Sequence, residues 1–528
     1  MGNRIKIIDL FAGPGGLGEG FSGYVSEAGD RPFKIGLSIE KETSAHETLQ
    51  LRAFYRQFLT GQAPREYYEY LEGKHGKFPA DELYLLPKLQ QQAKAAAEEA
   101  RQLTLGEDNA EIERSIDKAL GKNPGNWLLI GGPPCQAYSL VGRARNAGII
   151  DYNAEKDHRN FLYEQYLNII ARFKPAVFVM ENVKGILSAK VNGTRIFDKI
   201  REDLHCPTQT VDSKGNRREY EIFSLVIDSK IDLNGRMEPE PKDFIIRSEH
   251  YGVPQARHRV ILLGVRSDIA AQMQPGTLAE TPVPSVQQMI SDLPRLRSGL
   301  SKGEDSMENW TAAIHQHSEV PIEAVRRASL DPVAAAMEKA VQKIGSEELD
   351  RGINWARRTT QGISTKAGAR LCNWISDPTG WKGVCNHETR GHIQGDLIRY
   401  LFCASFGSVK HDDDRWTPKA SDFPSELAPN HSNWSSGKFA DRFRVQVADR
   451  HATTLTSHIS KDGHYFIHYD PTQCRSLTVR EAARIQTFPD NYFFVGNRTQ
   501  QYTQVGNAVP PFLAKQIADI AHSVIKGR

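Results

Sequence analysis

The sequence of 528 residues predicts an α/β protein, in which an open parallel sheet carries the chemistry and a second, smaller region is irregular. Three observations favour this class. Short apolar runs at 5–11, 127–130 and 176–180 have the length of buried strands, and helical segments lie between them. Glycines, prolines or polar residues follow each run, as expected at strand ends. The composition changes at 296–470, where six of the seven tryptophans lie.

The overall composition is that of a globular protein, with 39% hydrophobic and 25% charged residues. The chain is too long for a single core, so we expect two or three folding units. Six cysteines are too few for a disulfide framework and indicate a reducing compartment. No apolar run has membrane-spanning length and the N-terminus lacks a signal peptide's apolar segment, which predicts a cytoplasmic protein. The net charge of +3 neither requires nor excludes nucleic acid.

The first predicted strand leads into a glycine-rich loop and a helix. Gly13, Gly15 and Gly18 have the spacing Gly-x-Gly-x-x-Gly, which lets the backbone approach a ligand at a helix N-terminus. A second predicted strand, at 33–39, ends at Glu40, where a carboxylate can bind a ribose hydroxyl. This pattern indicates a cofactor that contains adenosine, and it does not separate NAD from S-adenosylmethionine.

The segment 51–123 has a different composition from its surroundings. It is rich in Gln, Ala, Glu and Lys, which are strong helix formers, and it has few large apolar residues. We therefore expect a helical insertion, at about 52–123, on the surface of the sheet domain. The simplest interpretation is a solvated helix pair without a part in the chemistry.

A reactive cysteine follows the strand predicted at 127–130. Two glycines and two prolines stop that strand, and Cys135 is the first reactive side chain after them. A nucleophile at the carboxyl end of a parallel strand lies where open α/β sheets bind ligands. Downstream, Gly142, Arg143 and Arg145 predict a basic loop that closes over a substrate.

Two further segments are expected at the same crevice. The third apolar run ends at Glu181, so a carboxyl group should face the crevice that holds Cys135. Gln255, Arg257 and Arg259 alternate along the chain and share one face if that segment is extended. Two arginines on a strand that enters a buried sheet need partners there.

The region 296–470 interleaves aromatic and basic residues in long loops, which suits either nucleic-acid binding or an irregular small core. Its cysteines and histidines lack a Cys-x-x-Cys pair, so we predict no metal site. Regular structure returns after it. Thr478 and Glu481 have the spacing of a capping box at a helix start, and a last helix is predicted at about 512–525.

Taken in their order along the chain, these motifs resemble those of the bacterial C5-cytosine-specific DNA methyltransferases. The stretch 9–16 resembles the family's cofactor loop, 132–136 its nucleophile motif and 181–183 its acid motif. The alternating residues of 255–259 match its substrate-arginine motif, and the two motifs that close the fold match 475–490 and 504–511. The family keeps its target recognition domain between the substrate-arginine motif and the first of the two closing motifs, that is, between Arg259 and Arg475.

The resemblance implies a fold and its boundaries. The fold is a Rossmann-like S-adenosylmethionine-dependent methyltransferase sheet domain with a smaller, irregular target recognition domain. The catalytic domain would comprise 1–295, the target recognition domain 296–470, and the segment 471–528 would complete the catalytic domain.

The resemblance also implies roles for particular residues. Cys135 would be the nucleophile and Glu181 the acid, while Arg259, supported by Arg257, would hold the cytosine O2 or the cysteine loop. The residues that would bind S-adenosyl-L-methionine are Phe11, Ala12, Gly13, Gly15, Gly16, Glu40, Pro133, Asn507 and Val509. The family's acidic contact to the adenine amino group has no clear counterpart, and Glu107 or Asp108 are the candidates.

The chemistry agrees with this resemblance. Cytosine C5 is a poor nucleophile toward a methyl sulfonium, and addition of a thiolate to C6 makes C5 enamine-like. An acid such as Glu181 would supply a proton toward N3 as the thiolate adds. The target carbon is inaccessible inside a duplex, so the base must be flipped out. Double-stranded DNA is therefore the expected partner, with no membrane partner and with a cognate restriction or defence protein possible in a bacterial cell.

Three alternatives stay open at this point. An NAD-dependent oxidoreductase fits the glycine loop but leaves the other motifs unexplained. A tRNA cytosine-5 methyltransferase of the same family fits the motifs, although the length of 296–470 favours DNA. The third alternative is a DNA-binding protein that has the fold but no catalytic activity. The presence of Cys135, Glu181 and Arg259 argues against it. We expect a modification enzyme of a restriction or phage-defence system.

Overall fold

The computed structural model describes most of the chain, and residues 135–160, after the fourth sheet strand, lie outside the described part. The described residues are 4–134, 161–191, 194–212, 219–228, 231–232, 235–236, 239–358, 363, 367–411, 415–430, 434 and 442–527. Cys135 and the predicted basic loop with Gly142, Arg143 and Arg145 therefore lie outside the described residues.

A sheet of eight described strands organises the fold. The strands are β1 (Ile5–Leu10), β2 (Phe33–Glu40), β3 (Ala100–Gln102), β4 (Leu128–Gly131), β5 (Val177–Val183), β6 (Tyr220–Phe223), β7 (Ile245–Arg247) and β8 (His258–Arg266). Their order is β7-β8-β5-β4-β1-β2-β3, with β6 also pairing with β8. Strands β3, β2, β1, β4 and β5 are parallel, whereas β8 is antiparallel to β5, β6 and β7. The predicted α/β class is confirmed.

Helices cover both faces of this sheet, and others lie in the region 296–470. The described α-helices are α1 (Gly16–Ser22), α2 (Thr43–Arg56), α3 (Arg65–Leu71), α4 (Gln90–Glu99), α5 (Asn109–Leu120), α6 (Phe161–Phe173), α7 (Ile196–His205), α8 (Pro207–Asp212), α9 (Ser267–Ala270), α10 (Val286–Ile290), α11 (Met307–Arg327), α12 (Asp331–Lys343), α13 (Ala369–Ile375), α14 (Gln394–Ser408), α15 (Val479–Ile485), α16 (Arg498–Asn507) and α17 (Pro511–Lys526).

Single turns of 3₁₀ helix and short strand pairs connect these elements. The 3₁₀ turns are Leu83–Leu85, Pro87–Leu89, Lys184–Leu187, Pro241–Phe244, Ser248–His250, Ala420–Asp422, Ser457–Ser460 and His464–Phe466. The two-residue pairs are Lys190–Val191 with Thr194–Arg195, Ile231–Asp232 with Gly235–Arg236, Gly299–Leu300 with Gly391–His392, Gly352–Ile353 with His387–Glu388, and Arg357–Arg358 with Gly383–Val384.

The strands read as continuous apolar runs because both sheet faces are buried. Along β4, Leu128 and Ile130 pack on the same side as α1 and α17, and Leu129 packs on the side of α5 and α6. Helix α1 approaches α17 closely, since a Cβ on Gly20 would lie 2.4 Å from that of Ala514. The last helix of the chain therefore packs beside the first.

Residues 52–123 differ from the expected solvated helix pair. Within this segment β3 pairs in parallel with β2 and extends the sheet, and α5 packs on one sheet face. The three residues of β3 include no β-branched or aromatic side chain, so the sequence carries no strand signal there.

The first part of the same segment packs against the region 296–470. Tyr67 and Tyr70 are buried in a cluster with Phe493, whose ring stacks on that of Trp355 at a centroid distance of 5.1 Å. The Ala356 N–H donates to the Leu71 carbonyl at 2.8 Å. Tyr67 and Tyr70 are spaced to lie on one face of a helix, and this face is buried against the rest of the protein. The segment is therefore part of the packed structure and not a solvated helix pair, as its composition had suggested.

The region 296–470 contains a core of its own. Helices α11, α12 and α14 pack on one another around buried residues such as Trp310, Met337 and Phe402. After it, α15 begins with the predicted capping box, in which the Thr478 N–H donates to Glu481 Oε2 at 2.7 Å and the Glu481 N–H donates to Thr478 Oγ1 at 3.2 Å.

Candidate active site

The residues predicted for the site gather at the carboxyl ends of β1, β2, β4 and β5. The strand order proceeds in opposite directions from β1 and β4, which makes the crevice between them the topological switch point where such sheets bind ligands. Phe11 follows β1, Glu40 ends β2, Pro133 follows β4, and Glu181 lies two residues before the end of β5. Cys135 comes two residues after Pro133, outside the described residues.

The loop after β1 has the backbone conformation that its glycines predict. Gly13 and Gly15 have φ angles of 56° and 92°, and Phe11 has a φ of 57°, which is rare for a side-chain-bearing residue. The Gly15 N–H donates to the Ala12 carbonyl at 2.9 Å and closes a tight turn. A Cβ at Gly13 would meet nothing within 4 Å, so this part of the loop borders open space. Its backbone is therefore accessible to a ligand.

The turn between α16 and α17 lies directly against this loop. A Cβ on Gly16 would lie 2.3 Å from the carbonyl oxygen of Val509, so only glycine fits at that position. Asn507 ends α16 and is exposed beside Val509. Residues about 490 positions apart in the chain are thus brought to one site, as the motif order predicts.

The Glu40 carboxylate binds the backbone of the glycine-rich loop after β1. Its Oε2 accepts from the Gly13 N–H at 2.8 Å and its Oε1 accepts from the Glu42 N–H at 2.8 Å. Burial raises the pKa of Glu40, and the hydrogen bonds from these two N–H groups oppose that rise. A cofactor hydroxyl that reaches this carboxylate would find it already oriented.

Gln102 lies beside Glu40 in the sheet, a position that the sequence did not reveal. It ends β3 and pairs in register with Glu40. Its Nε2 donates to the Lys41 carbonyl at 3.2 Å and to Thr43 Oγ1 at 2.9 Å. Glu107 and Asp108, the residues proposed for the adenine, lie further along the chain in the turn before α5, where Asp108 Oδ2 accepts from the Thr104 N–H at 2.8 Å. Recognition of β3 as a strand would have been the signal for Gln102.

Glu181 is held between an arginine and a glycine. Arg259 Nε lies 2.8 Å from Glu181 Oε1, and both side chains are about 15% exposed. The antiparallel pairing of β8 with β5 creates this contact, since Arg259 is opposite Val183 and Ile261 is opposite Glu181. A Cβ on Gly132 would lie 2.8 Å from Glu181 Oε2. The absence of a side chain at Gly132 therefore lets the carboxylate lie against the turn that leads to Cys135.

Asn182 also holds the turn that leads to Cys135. Its Nδ2 donates to the Pro133 carbonyl at 3.1 Å, and its Oδ1 accepts from the Val183 N–H at 2.8 Å. The carboxamide is buried, so these bonds are not in competition with bulk water. The acid motif thus contributes both a carboxylate and a support for the segment that precedes the cysteine.

Arg257 has a different environment from Arg259. It is fully buried and donates to the carbonyls of Leu455 at 2.7 Å, Gly506 at 3.1 Å and Asn507 at 3.3 Å. Burial and the positive charge of Arg259 lower the pKa of Arg257. We expected Arg257 to support Arg259, but none of its described hydrogen bonds goes to Arg259. They join the sheet to the turn that holds Asn507, and three carbonyls rather than a carboxylate compensate its burial.

Asp9 is a buried acid beneath α1. Neither carboxylate oxygen has a hydrogen-bond partner among the described residues, and the same holds for Ser38 Oγ on the opposing position of β2. Burial raises the pKa of Asp9 to about 8, with the charge of Arg56 opposing the rise. The close packing of α1 explains the burial, since a Cβ on Gly18 would lie 2.9 Å from Asp9 Oδ2.

The described residues contain no group of three or more His, Cys, Asp or Glu side chains that could hold a metal ion. No helix in the described ranges is both long and apolar enough to cross a bilayer.

The chain matches a known protein family over most of its length. A family model described as C-5 cytosine-specific DNA methylase matches residues 101–206 and 240–522. The chain is similar to the type II methyltransferase M.Bpa9945I of Bacillus paralicheniformis, with 32% identity over 547 residues that cover 99% of each chain. It is 24% identical to the putative type II methyltransferase M.OihORF3336P of Oceanobacillus iheyensis, which covers 99% of this chain and 96% of that relative. It is 26% identical to the DNA (cytosine-5-)-methyltransferase M.ApeKI of Aeropyrum pernix, over 75% of this chain and 81% of that relative.

Proposed function

Because the chain belongs to the C-5 cytosine-specific DNA methylase family, we propose that it transfers a methyl group from S-adenosyl-L-methionine to C5 of cytosine in a specific duplex DNA site. The observation that carries this proposal is the convergence of Glu40, Glu181 and the turn before Cys135 at one sheet edge. The type II names of the relatives support a place in a restriction-modification or phage-defence system. Its DNA substrate would then be that of a bacterial cytoplasm.

The residues around the β1 loop fit S-adenosylmethionine. The loop of Phe11, Ala12, Gly13, Gly15 and Gly16 leads into a helix, and its backbone borders open space at Gly13, a combination that suits the polar end of such a molecule. The Glu40 carboxylate is suited to ribose hydroxyls, Val509 packs against the loop at Gly16, and Pro133 and Asn507 are proposed to complete the site. When bound there, the cofactor supplies an electrophilic sulfonium methyl group.

The residues on the other side of the crevice suit the cytosine. In the proposed reaction the Cys135 thiolate forms a bond to C6, and the displaced electron pair is taken up at N3 with a proton from Glu181. Arg259 keeps the Glu181 carboxyl group in place through the 2.8 Å contact described above. C5 then bonds to the methyl carbon as the carbon–sulfur bond of the sulfonium breaks, which leaves a neutral thioether. Loss of the C5 proton to a base and return of the N3 proton to Glu181 restore the C5–C6 double bond and release the Cys135 thiolate from C6.

The target base must leave the duplex for this chemistry to take place. C6 and C5 lie inside the stacked helix, and extrusion of a nucleotide costs a few kcal/mol (~) that contacts in the pocket must offset. The region 296–470, with its interleaved aromatic and basic residues, is proposed to bind the duplex and to set the recognised sequence. A cofactor site and a base site on opposite sides of one crevice are the arrangement that methyl transfer requires.

Bisulfite sequencing of DNA from cells that express the chain tests the proposal. We expect unconverted cytosine at one recurrent sequence context with the wild type and none with Cys135→Ala at equal protein level. The runner-up function is cytosine-5 methylation of tRNA, which labelled S-adenosylmethionine and total RNA would detect. Label in RNA with no protected cytosine in DNA would replace the proposed function with that one.

A further inference from the structure

The cofactor loop is supported by a tyrosine that is far away in the sequence. The Tyr492 hydroxyl donates to the Pro14 carbonyl, in the middle of the loop, and the tyrosine is 1% exposed. A Cβ on Gly15 would lie 3.0 Å from the same hydroxyl. On its inner side the loop packs against this hydroxyl and against Leu49, whose Cδ1 would lie 2.8 Å from a Cβ on Gly15, while Gly13 faces open space.

Aromatic and cationic neighbours fix the orientation of the Tyr492 ring. The rings of Phe488 and Phe494 lie at centroid distances of 4.8 Å and 5.4 Å, and the Arg52 guanidinium lies 4.9 Å from the Tyr492 centroid. Arg480 Nη2 donates to the Tyr492 carbonyl at 2.5 Å. A hydroxyl on such a ring has one available position, which makes it a precise support for a flexible loop.

The residue before Tyr492 connects this support to two other parts of the molecule. Asn491 Oδ1 accepts from Arg52 Nη1 at 3.0 Å, and its Nδ2 donates to an Asp377 carboxylate oxygen in the region 296–470. Arg52 in turn binds both oxygens of Glu19 on α1, at 2.8 Å and 2.5 Å. The first helix after the loop is thus connected through Arg52 to Asn491, the residue next to the tyrosine that binds the loop.

We propose that Tyr492 is a positioning residue for the cofactor, which acts through the Pro14 carbonyl rather than by contact with the cofactor. Its hydroxyl satisfies that buried carbonyl and holds the loop in the turn whose backbone faces the crevice. The inference rests on the proposed function, because it assumes that S-adenosylmethionine binds at the loop. The tyrosine lies between the motifs at 475–490 and 504–511 and belongs to neither.

Tyr492→Phe removes one oxygen atom and leaves the ring packing intact. It deprives the Pro14 carbonyl of its donor, and a hydrogen bond of this kind corresponds to a change of about 3- to 10-fold in an equilibrium constant. We expect S-adenosylhomocysteine to bind the variant 3- to 10-fold more weakly in titration calorimetry. The KM for S-adenosylmethionine should rise by a similar factor, while kcat stays within about twofold, because the residues at the cytosine are unchanged.

Tyr220→Phe is the matched control. Tyr220 is also buried, and its hydroxyl donates to the Pro175 carbonyl at 2.8 Å. Pro175 precedes β5, so this bond lies at the opposite end of the sheet from the site. Both variants should lower the Tm by a few degrees, whereas only Tyr492→Phe should change cofactor affinity.

Amide hydrogen exchange of the peptide 11–17 gives a readout that needs no ligand. Exchange should be several-fold faster in Tyr492→Phe than in the wild type and unchanged in Tyr220→Phe. If Tyr492→Phe does not fold, Arg52→Lys is the second variant, since it removes the paired contact to Glu19 and the flat guanidinium beside Tyr492. It should also accelerate exchange at the loop and weaken S-adenosylhomocysteine binding.

The outcomes separate this inference from the proposed function. Failure of the wild type to bind S-adenosylhomocysteine would remove the proposed function and the inference with it. Wild-type binding with an unchanged dissociation constant and unchanged exchange in the variant would assign Tyr492 a purely structural role and overturn the inference alone.

Discussion

Glu181→Gln tests whether the crevice is divided into a cofactor side and a base side. The substitution keeps the size of the side chain but removes the proton that Glu181 is proposed to share with cytosine N3. General acid catalysis of this kind contributes about 10²- to 10⁴-fold. We therefore expect kcat for methyl transfer to fall by a factor in that range.

The sheet order gives the reason why cofactor binding should not change. Glu181 and Glu40 belong to β5 and β2, and β4 and β1 lie between those strands. Three strand spacings of ~4.8 Å place the two carboxyl groups on the order of 14 Å apart, with packed backbone between them. The dissociation constant of S-adenosylhomocysteine should therefore stay within about twofold of the wild-type value.

The assay combines transfer of a labelled methyl group to DNA with titration calorimetry on the same protein preparation. Glu40→Gln is the matched control, because it makes the same chemical change on the other side of the crevice. It should weaken cofactor binding through loss of the charged acceptor for the Gly13 N–H. Loss of S-adenosylhomocysteine binding in a folded Glu181→Gln protein would refute the assignment of both carboxylates.

Three further predictions follow from the same geometry. Asp9→Asn should stabilise the protein increasingly as the pH rises from about 4 to 8. In that window native Asp9, whose pKa of about 8 lies above its ordinary 3.8, keeps a proton that the unfolded chain has lost. At ~1.4 kcal/mol per pH unit, the difference in unfolding free energy between the variant and the wild type has an upper limit of about 6 kcal/mol. Denaturant titration at several pH values measures this difference, and a difference that does not change with pH would contradict the prediction. Arg257→Lys should lower the unfolding free energy by roughly 2–4 kcal/mol, because one ammonium cannot satisfy three carbonyls, while Arg259→Lys should chiefly lower turnover; equal Tm values for the two variants would argue against these roles. Exchange of 296–470 for the corresponding segment of a related enzyme should move methylation to the donor's sequence, and an active chimera that kept the original site would show that recognition lies elsewhere.

The parts of the fold that the sequence predicted are those with a local cause. The runs at 127–130 and 176–180 lie on buried strands because a strand covered on both faces needs apolar side chains throughout. The capping box at Thr478 needs only residues three positions apart. The family, predicted from the order of short motifs, is confirmed by the family model and by the 32% identical relative.

The parts that the sequence did not predict depend on distant contacts. Strand β3 exists because the edge of β2 is available to pair, and its own residues carry no strand signal. The spacing of Arg257 and Arg259 was visible, but their different partners were not. Arg257 reaches carbonyls about 200 and 250 residues away along the chain, and Arg259 reaches Glu181 through the antiparallel pairing of β8 with β5. Neither pairing follows from residue type.

The central claim is that Cys135 forms a covalent bond with the target base, and trapping of that bond tests it most directly. Fluorine at C5 cannot leave as a cation, so methyl transfer to 5-fluorocytosine should stop before the cysteine is released. We expect a denaturant-resistant protein–DNA adduct that requires S-adenosylmethionine and a duplex with 5-fluorocytosine at the target position, and peptide mapping should place the DNA on Cys135. An adduct that persists in Cys135→Ala, or none from a preparation that methylates ordinary cytosine, would contradict the proposed mechanism.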